Sequence, residues 1–254
     1  GPGEGIITRF LLRDARKVAV IEKDPDLKDA LDRLQEEYSN LEIIIGDALT
    51  RRWPKKINKL VANIPFNITE PLLYKMIKEG LNFACLLVGE RYASTISSYK
   101  IGDIDNSSHS RLGFLTNAYF IPEVHMTVPS NCFYPQPSVD GAIVTLESIK
   151  KRELTKRSFS LYVLRNIWDQ NTRRVYDSLF NGVMNLMSTN GKTLYISHTQ
   201  LYKFLEVDSS LLEKRGDALT SQDFFQIYQS LERKKFKKRL FRSNRNLEEM
   251  AKSF

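Results

Sequence analysis

Residues 61–71 read VANIPFNITEP. A short apolar run ends on an amide, Asn63, and is followed by Ile64, Pro65, Phe66 and a second amide, Asn67. The proline ring locks φ, so the backbone turns sharply where the apolar run stops. The next stretch, TEPLLYKMIKE, returns to a 3.6-residue period, with Thr69 at the capping position and Pro71 in the first helical turn. Strand, tight turn and helix in this order predict an α/β unit whose chemistry sits at the carboxyl end of the strand.

The flanking sequence repeats the alternation. KVAVIE (17–22), LEIIIGD (41–47), KLVANI (59–64) and FACLLVG (83–89) are short, nearly continuous apolar runs, as expected of strands buried on both faces. Between them, ITRFLLRDA and PDLKDALDRLQEEY carry helical periodicity; in the second, Leu27, Ala30, Leu31 and Leu34 share one stripe. This alternation predicts βαβ units and a parallel, Rossmann-like sheet. FIPEVHMTV (120–128) and DGAIVTLESI (140–149) read as later strands, the second alternating like an antiparallel partner. Past residue 150 the strand signals stop. SFSLYVLRNIWDQNTRRVYDSLFNGVMNLM holds two apolar helical stripes, and HTQLYKFLEV and SQDFFQIYQSLER each read as a capped helix. The expectation is an α/β domain over residues 1–150 and a smaller all-helical domain over 151–254 that ends in a basic tail.

Composition narrows the function classes. The 254 residues are 42% hydrophobic and 27% charged, as in ordinary globular proteins. No apolar run approaches the roughly 18 residues a membrane span needs, and nothing at the start reads as a secretory signal. Cys85 and Cys132 lack CxxC spacing, so neither a disulfide framework nor a zinc site is predicted; a monomer in a reducing cytoplasm is expected, with no metal. The net charge of +8 is uneven. Residues 1–148 carry 17 Lys and Arg against 19 Asp and Glu, a net of −2; the remainder carries 21 against 11, a net of +10. Such asymmetry points to a polyanionic partner for the second half.

Candidate site residues fall at successive strand ends. The chain opens GPGEG, where Gly1, Gly3 and Gly5 form a turn at a helix amino terminus, suited to close approach of a ligand. Glu22 ends the first predicted strand, in the place where α/β nucleotide-binding folds hold ribose hydroxyls. Asp47 ends the next, in GDAL. The GxGxG spacing, not GxGxxG, points to S-adenosylmethionine instead of a dinucleotide. Asn63 with Pro65 and Phe66 then suits an adenine substrate. An exocyclic adenine amine is a poor nucleophile, because its lone pair is delocalised into the ring. Two acceptors aimed at its N–H groups, the Asn63 amide oxygen and a turn carbonyl, push the nitrogen toward a tetrahedral shape. Phe66 offers a face on which an extruded base stacks, worth about 1–3 kcal/mol. No strong base is needed, so catalysis is positioning and electrostatics.

In their order and spacing, GPGEG, VIEKD, GDAL and NIPF resemble the rRNA adenine N6-dimethyltransferases, relatives of the erythromycin-resistance methyltransferases of 23S rRNA. The likeness continues through SRLGFLTNAYF (110–120), VPSNCFYPQPSVDGAIV (128–144) and IWDQNTRRVYDSL (167–179). It implies a class I S-adenosylmethionine-dependent methyltransferase domain that converts adenine in small-subunit rRNA, alone or in a pre-30S or pre-40S particle, to N6,N6-dimethyladenine. By this resemblance Gly1, Gly3 and Gly5 line the methionine end of the cofactor and Glu22 holds its ribose. Asp47 accepts from its adenine amine, with Ala48 beside it; Asn63 also lies against the cofactor. Asn63 and the Pro65 carbonyl hold the target amine, Phe66 stacks on the target base, and Phe133 forms a second aromatic wall. Arg173 and Arg174 contact RNA; independently of the resemblance, the cations interleaved with aromatics between Arg233 and Arg245 read as a phosphate-binding surface for structured RNA. Three features depart from the family pattern. The chain opens inside the glycine loop, where the family has a preceding glutamine-containing segment and strand, so the amino-terminal part of the domain is expected to be missing. Phe66 replaces a commoner tyrosine, and Gly89-Glu90-Arg91 stands where Gln-Lys-Glu is usual. Two rival readings are a 23S rRNA methyltransferase of the resistance type and an RNA-binding assembly or transcription factor that has lost turnover.

Overall fold

The structure, a computed structural model, describes residues 1–97, 110–150, 158–189 and 197–233. Two compact units emerge. One comprises Gly1–Ala93 with Glu123–Glu147, the other Ser94–Pro122 with Ser148–Phe254. The second unit resumes at Ser148, and it also takes in Ser94–Pro122, a segment that lies within the residues 1–150 assigned to the first domain from sequence.

In the first unit, helix α1 (Ile6–Asp14) leads to strand β1 (Val18–Glu22), helix α2 (Lys28–Glu37) and strand β2 (Leu41–Ile45). β1 and β2 pair in parallel, Val18 opposite Leu41 and Glu22 opposite Ile45. The α2 stripe is confirmed in part: Leu31 and Leu34 are buried with Leu12, Val18, Val20 and Leu41. Strand β3 (Lys59–Asn63), helix α3 (Thr69–Glu79) and strand β4 (Phe83–Gly89) follow. β3 and β4 are parallel, Asn63 opposite Leu87. Strands β5 (Phe120–Val128) and β6 (Gly141–Ser148), of which Phe120–Pro122 and Ser148 belong to the other unit, complete a four-stranded sheet in the order β3-β4-β6-β5, and β4–β6 is antiparallel, as the alternating sequence predicts. Its buried face is built from in-register pairs: Ala84 with Leu146, Leu86 with Val144, Val88 with Ala142, all at most 3% exposed.

Two expectations need correction. The strands are not all buried on both faces. β3 alternates exposed and half-buried residues, and β2 is only half-buried beyond Leu41. The ladders explain this, because β1–β2 is a two-stranded sheet by itself and β3 is the edge of the four-stranded one. Nor does Thr69 cap α3. It is the first helical residue, its hydroxyl donates to the Phe66 carbonyl (2.9 Å), and a 3-10 turn over Phe66–Ile68 precedes it.

In the second unit, helix α4 (Glu90–Ser97), whose first residues belong to the other unit, and helix α5 (Arg111–Tyr119) precede β5. Helices α6 (Phe159–Asp169), α7 (Val175–Thr189), α8 (His198–Leu205), α9 (Ser209–Glu213) and α10 (Ser221–Glu232) follow β6. Capping boxes at Ser197 and Thr220 start α8 and α10, which satisfies amide groups that a helix end leaves orphaned. α5 is buried on all sides from Gly113 to Tyr119 and packs on α6 and α10. At its end the Arg165 guanidinium lies 4.2 Å from the Tyr119 ring centre and donates to the Ala118 and Ile149 carbonyls. Burial, reinforced by the neighbouring Asp169 carboxylate, pushes the Tyr119 hydroxyl far above its ordinary pKa, so it stays a proton donor.

Candidate active site

The first cluster of site residues joins the glycine loop to the end of β1. Glu22 is 6% exposed, and its carboxylate accepts from the Gly3 amide (3.2 Å) and the Asp24 amide (2.9 Å). A side chain at Gly1 would place its Cβ 2.6 Å from Glu22 Oε2, so any larger residue there would have to push the Glu22 carboxylate aside. Gly3 and Gly5 hold φ of 57° and 89°, the left-handed region that glycine enters without steric cost. Gly5 also caps α1, and a Cβ there would meet Leu34 at 2.8 Å. A Cβ at Gly3 would meet nothing within 4 Å, which leaves open space beside the half-buried Gly3 backbone. Glu22, expected from sequence as a ribose acceptor, thus also ties down the glycine loop, which the sequence did not disclose. Each carboxylate oxygen keeps a further lone pair for a ligand.

Asp47 follows β2 through Gly46, whose amide donates to the Glu22 carbonyl at 2.7 Å. The Leu49 amide (2.8 Å), and then the Lys23 ammonium (3.2 Å), hold the Asp47 carboxyl below the usual carboxylate range. It is an ionised acceptor at neutral pH. The adjacent Ala48 carbonyl accepts from the Trp53 indole at 2.8 Å, which fixes the turn.

The second cluster lies at the carboxyl end of β3. Asn63 is exposed, and its side-chain amide has no hydrogen-bond partner among the described residues. The Pro65 carbonyl accepts from the Ile68 amide (3.0 Å), leaving one lone pair available. The half-buried rings of Phe66 and Phe133 meet edge to face, their centres 6.2 Å apart at 82°. Phe133 comes from the loop between β5 and β6, so the sequence-distant ring does reach Phe66.

Two glycines seat these rings, and the sequence reading missed both. Gly89 ends β4, Gly141 begins β6, and they are partners in the ladder. A Cβ at Gly89 would lie 3.2 Å from the Phe66 ring; one at Gly141 would lie 3.1 Å from Phe133 Cζ and 3.4 Å from Phe66 Cζ. Neither has a left-handed φ, so space and not backbone conformation calls for glycine. The one available signal was Gly89 itself, in the segment that departs from the family pattern. Gly141→Ala should displace the rings by a few tenths of an ångström. We expect methyl transfer to fall about three- to ten-fold while cofactor affinity, measured by titration calorimetry, is unchanged; overpacking of this kind costs about 1–3 kcal/mol.

The remaining predicted residues sit elsewhere. Arg173 and Arg174 are exposed in the helical unit, where Arg174 pairs with Glu213 (2.7 Å) and Arg173 donates to the Gln170 amide oxygen (3.3 Å). Glu90 is exposed at the start of α4. Of the terminal basic run, only Arg233 is described, paired with Glu206 (3.2 Å); the cations from Lys234 to Arg245 lie outside the described residues. No group of three or more metal-ligating side chains occurs among the described residues, and no helix there is long and apolar enough to cross a membrane.

Comparison with known proteins is consistent with this geometry. The family model described as ribosomal RNA adenine dimethylase matches residues 1–232. A ribosomal RNA small subunit methyltransferase A from Clostridium acetobutylicum is 30% identical over 237 residues, covering 88% of this chain and 79% of that protein. A probable enzyme of the same name from Thermococcus onnurineus is 36% identical over 154 residues, and the match spans about half of it (54%). Among solved structures, a dimethyladenosine transferase from Plasmodium falciparum superposes with a TM-score of 0.58 at 26% identity, over 89% of this chain and 86% of that one. The 23S rRNA methyltransferase ErmE superposes with a TM-score of 0.53 over 92% and 89%, and at 20% identity shows a shared fold alone.

Proposed function

Because the chain belongs to the ribosomal RNA adenine dimethylase family, we propose that it methylates N6 of adenines in small-subunit rRNA to N6,N6-dimethyladenosine. The observation that carries this reading is the exposed Asn63 amide, without a hydrogen-bond partner among the described residues, beside two half-buried phenylalanine rings. S-adenosylmethionine, when bound, supplies the methyl group from its sulfonium. The chain's residues fit it: a loop with open space at Gly3, and two acceptor carboxylates, Glu22 and Asp47. The loop would cradle its methionine end, Glu22 its ribose, and Asp47 its adenine amine, with Asn63 on the reacting side.

Around the target base, Phe66 stacks on one face and Phe133 walls the site. Asn63 Oδ1 and the Pro65 carbonyl accept from the two amine N–H groups and hold the nitrogen lone pair toward the methyl donor. Once the nitrogen carries its new methyl group it is acidic enough to lose a proton to water, so no titrating side chain is required. After the first transfer one N–H remains, and one of the two acceptors is enough to hold it for the second.

The test is incubation of the full chain with small-subunit rRNA and labelled S-adenosylmethionine, with the product nucleosides resolved. Dimethyladenosine is expected. Monomethyladenosine as the sole product would overturn dimethylation, and transfer to 23S rRNA in preference would favour the rival reading as a 23S rRNA methyltransferase.

A further inference from the structure

Between Asp47 and Glu70 the chain carries five cations and no carboxylate, inside a unit that otherwise holds 10 Lys and Arg against 17 Asp and Glu. Three of them, Arg52, Lys55 and Lys56, line a cleft of about 200 Å³ in the connection from β2 to β3, with Trp53 and Leu81. All three are exposed, and none forms an ion pair among the described residues. Glu79, the acid in the cleft wall, is already matched by Lys75 at 3.0 Å. The cleft therefore gathers three positive charges against a single carboxylate that Lys75 already engages.

The loop that presents them is pinned. Trp53 is 6% exposed, donates to the Ala48 carbonyl, and lies under the Lys75 ammonium (5.9 Å from its ring centre). Lys75 also donates to the Arg51 carbonyl at 2.9 Å. Downstream, the Asn58 carbonyl accepts from the Asn82 and Phe83 amides. Between these anchors Lys56 holds φ of 67°, a left-handed conformation that an L-residue keeps only where its surroundings impose it, and such outliers gather at binding sites. Crowded like charges on a fixed, strained loop are relieved by an anion, and lysine and arginine around a concavity suit phosphate.

We propose that this cleft is a second docking point for RNA, binding a backbone phosphate at a distance from the reacting base. The proposal rests on the rRNA reading above. Lys59 and Asn63 are the two ends of β3, roughly 13 Å apart at the usual strand rise, so the cleft is not part of the ring site. An RNA held at both points is gripped by a phosphate on one side of the strand and by an extruded base on the other. The cleft fixes register, and the ring site selects the base.

The test is fluorescence-anisotropy binding of a small-subunit rRNA fragment to the full chain across a salt series. It compares the parent, the triple variant Arg52→Gln/Lys55→Gln/Lys56→Gln, and a control that removes three other exposed cations, Lys17, Lys28 and Lys78. We expect the cleft variant to lose about five- to twenty-fold in affinity at 0.1 M salt, with the log–log salt slope shallower by about one. Cofactor affinity should be unchanged, which shows the unit intact; the control should lose less than two-fold. A single change, Lys56→Gln, should give a partial loss in the same direction. Equal losses in the cleft and control variants, or an unchanged slope, would overturn the proposal. So would inorganic phosphate protecting the cleft lysines from acylation where the RNA fragment does not. If the parent binds and methylates the RNA but the cleft variant matches it, only this inference fails; if the parent does neither, the rRNA reading fails with it.

Discussion

Asn63→Ala should abolish most methyl transfer and leave the fold and both binding steps nearly intact. The side chain is exposed and bonded to none of the described residues, so its removal should change stability by no more than about 0.5 kcal/mol. What disappears, on the proposed mechanism, is an acceptor for the target amine at the position where charge develops. Loss of one preorganised hydrogen-bonding group at such a position typically costs about 10²–10³ in kcat, and we expect that range here. Cofactor affinity should shift by less than about three-fold and RNA affinity not at all, so the loss falls in kcat, as for an interaction made in the transition state. Single-turnover methylation with saturating RNA and cofactor gives the number. Turnover within three-fold of the parent would remove Asn63 from the mechanism, and with it the argument that the nitrogen is held from two sides.

Glu22→Gln should act on the other cluster and fail differently. The substitution keeps the shape of a 6%-exposed side chain but removes its charge, and it turns an amino group toward one of the two amides, Gly3 or Asp24, that the carboxylate now satisfies. Hydrogen bonds to a charged acceptor contribute about 1.5–3 kcal/mol each. Loss of one loosens the glycine loop and removes the acceptor proposed for the cofactor ribose. S-adenosylmethionine affinity should therefore fall about ten- to hundred-fold, with kcat at saturating cofactor reduced far less. Calorimetric titration with the cofactor separates the two effects. Undiminished affinity would mean that Glu22 only braces the loop.

Much of this was legible in the sequence because the local signals agreed. The apolar runs at 18–22, 41–45, 59–63 and 83–89 are strands, and the helical stripes around residues 160–189 are helices. Strand-end acids and the amide-proline-aromatic turn marked the candidate site, since such ends are where an α/β sheet meets ligands. The parts not legible depend on contacts between distant residues. Whether β3 is buried on both faces is decided by its neighbours in the sheet, and an apolar run cannot report an absent ladder. α5 lacks a polar face, so periodicity alone could not say that it belongs with α6 and α10. Gly89 and Gly141 are separated by more than fifty positions, and their common role is visible only once the ladder sets them opposite each other. Glu22 announced an acceptor, but its bond to Gly3 needed coordinates.

The placement of α5 carries a consequence for how the protein can be taken apart. The polypeptide passes between its two units three times, after Ala93, Pro122 and Glu147, so neither unit is one uninterrupted piece. A fragment cut near residue 150 would keep Phe114, Leu115 and Ala118, each 1% exposed in the intact chain, while discarding the helices that cover them. That fragment would be sticky, and the leftover helices would have a hole where α5 belonged. Exchange of the helical part between relatives therefore succeeds only if α5 travels with it.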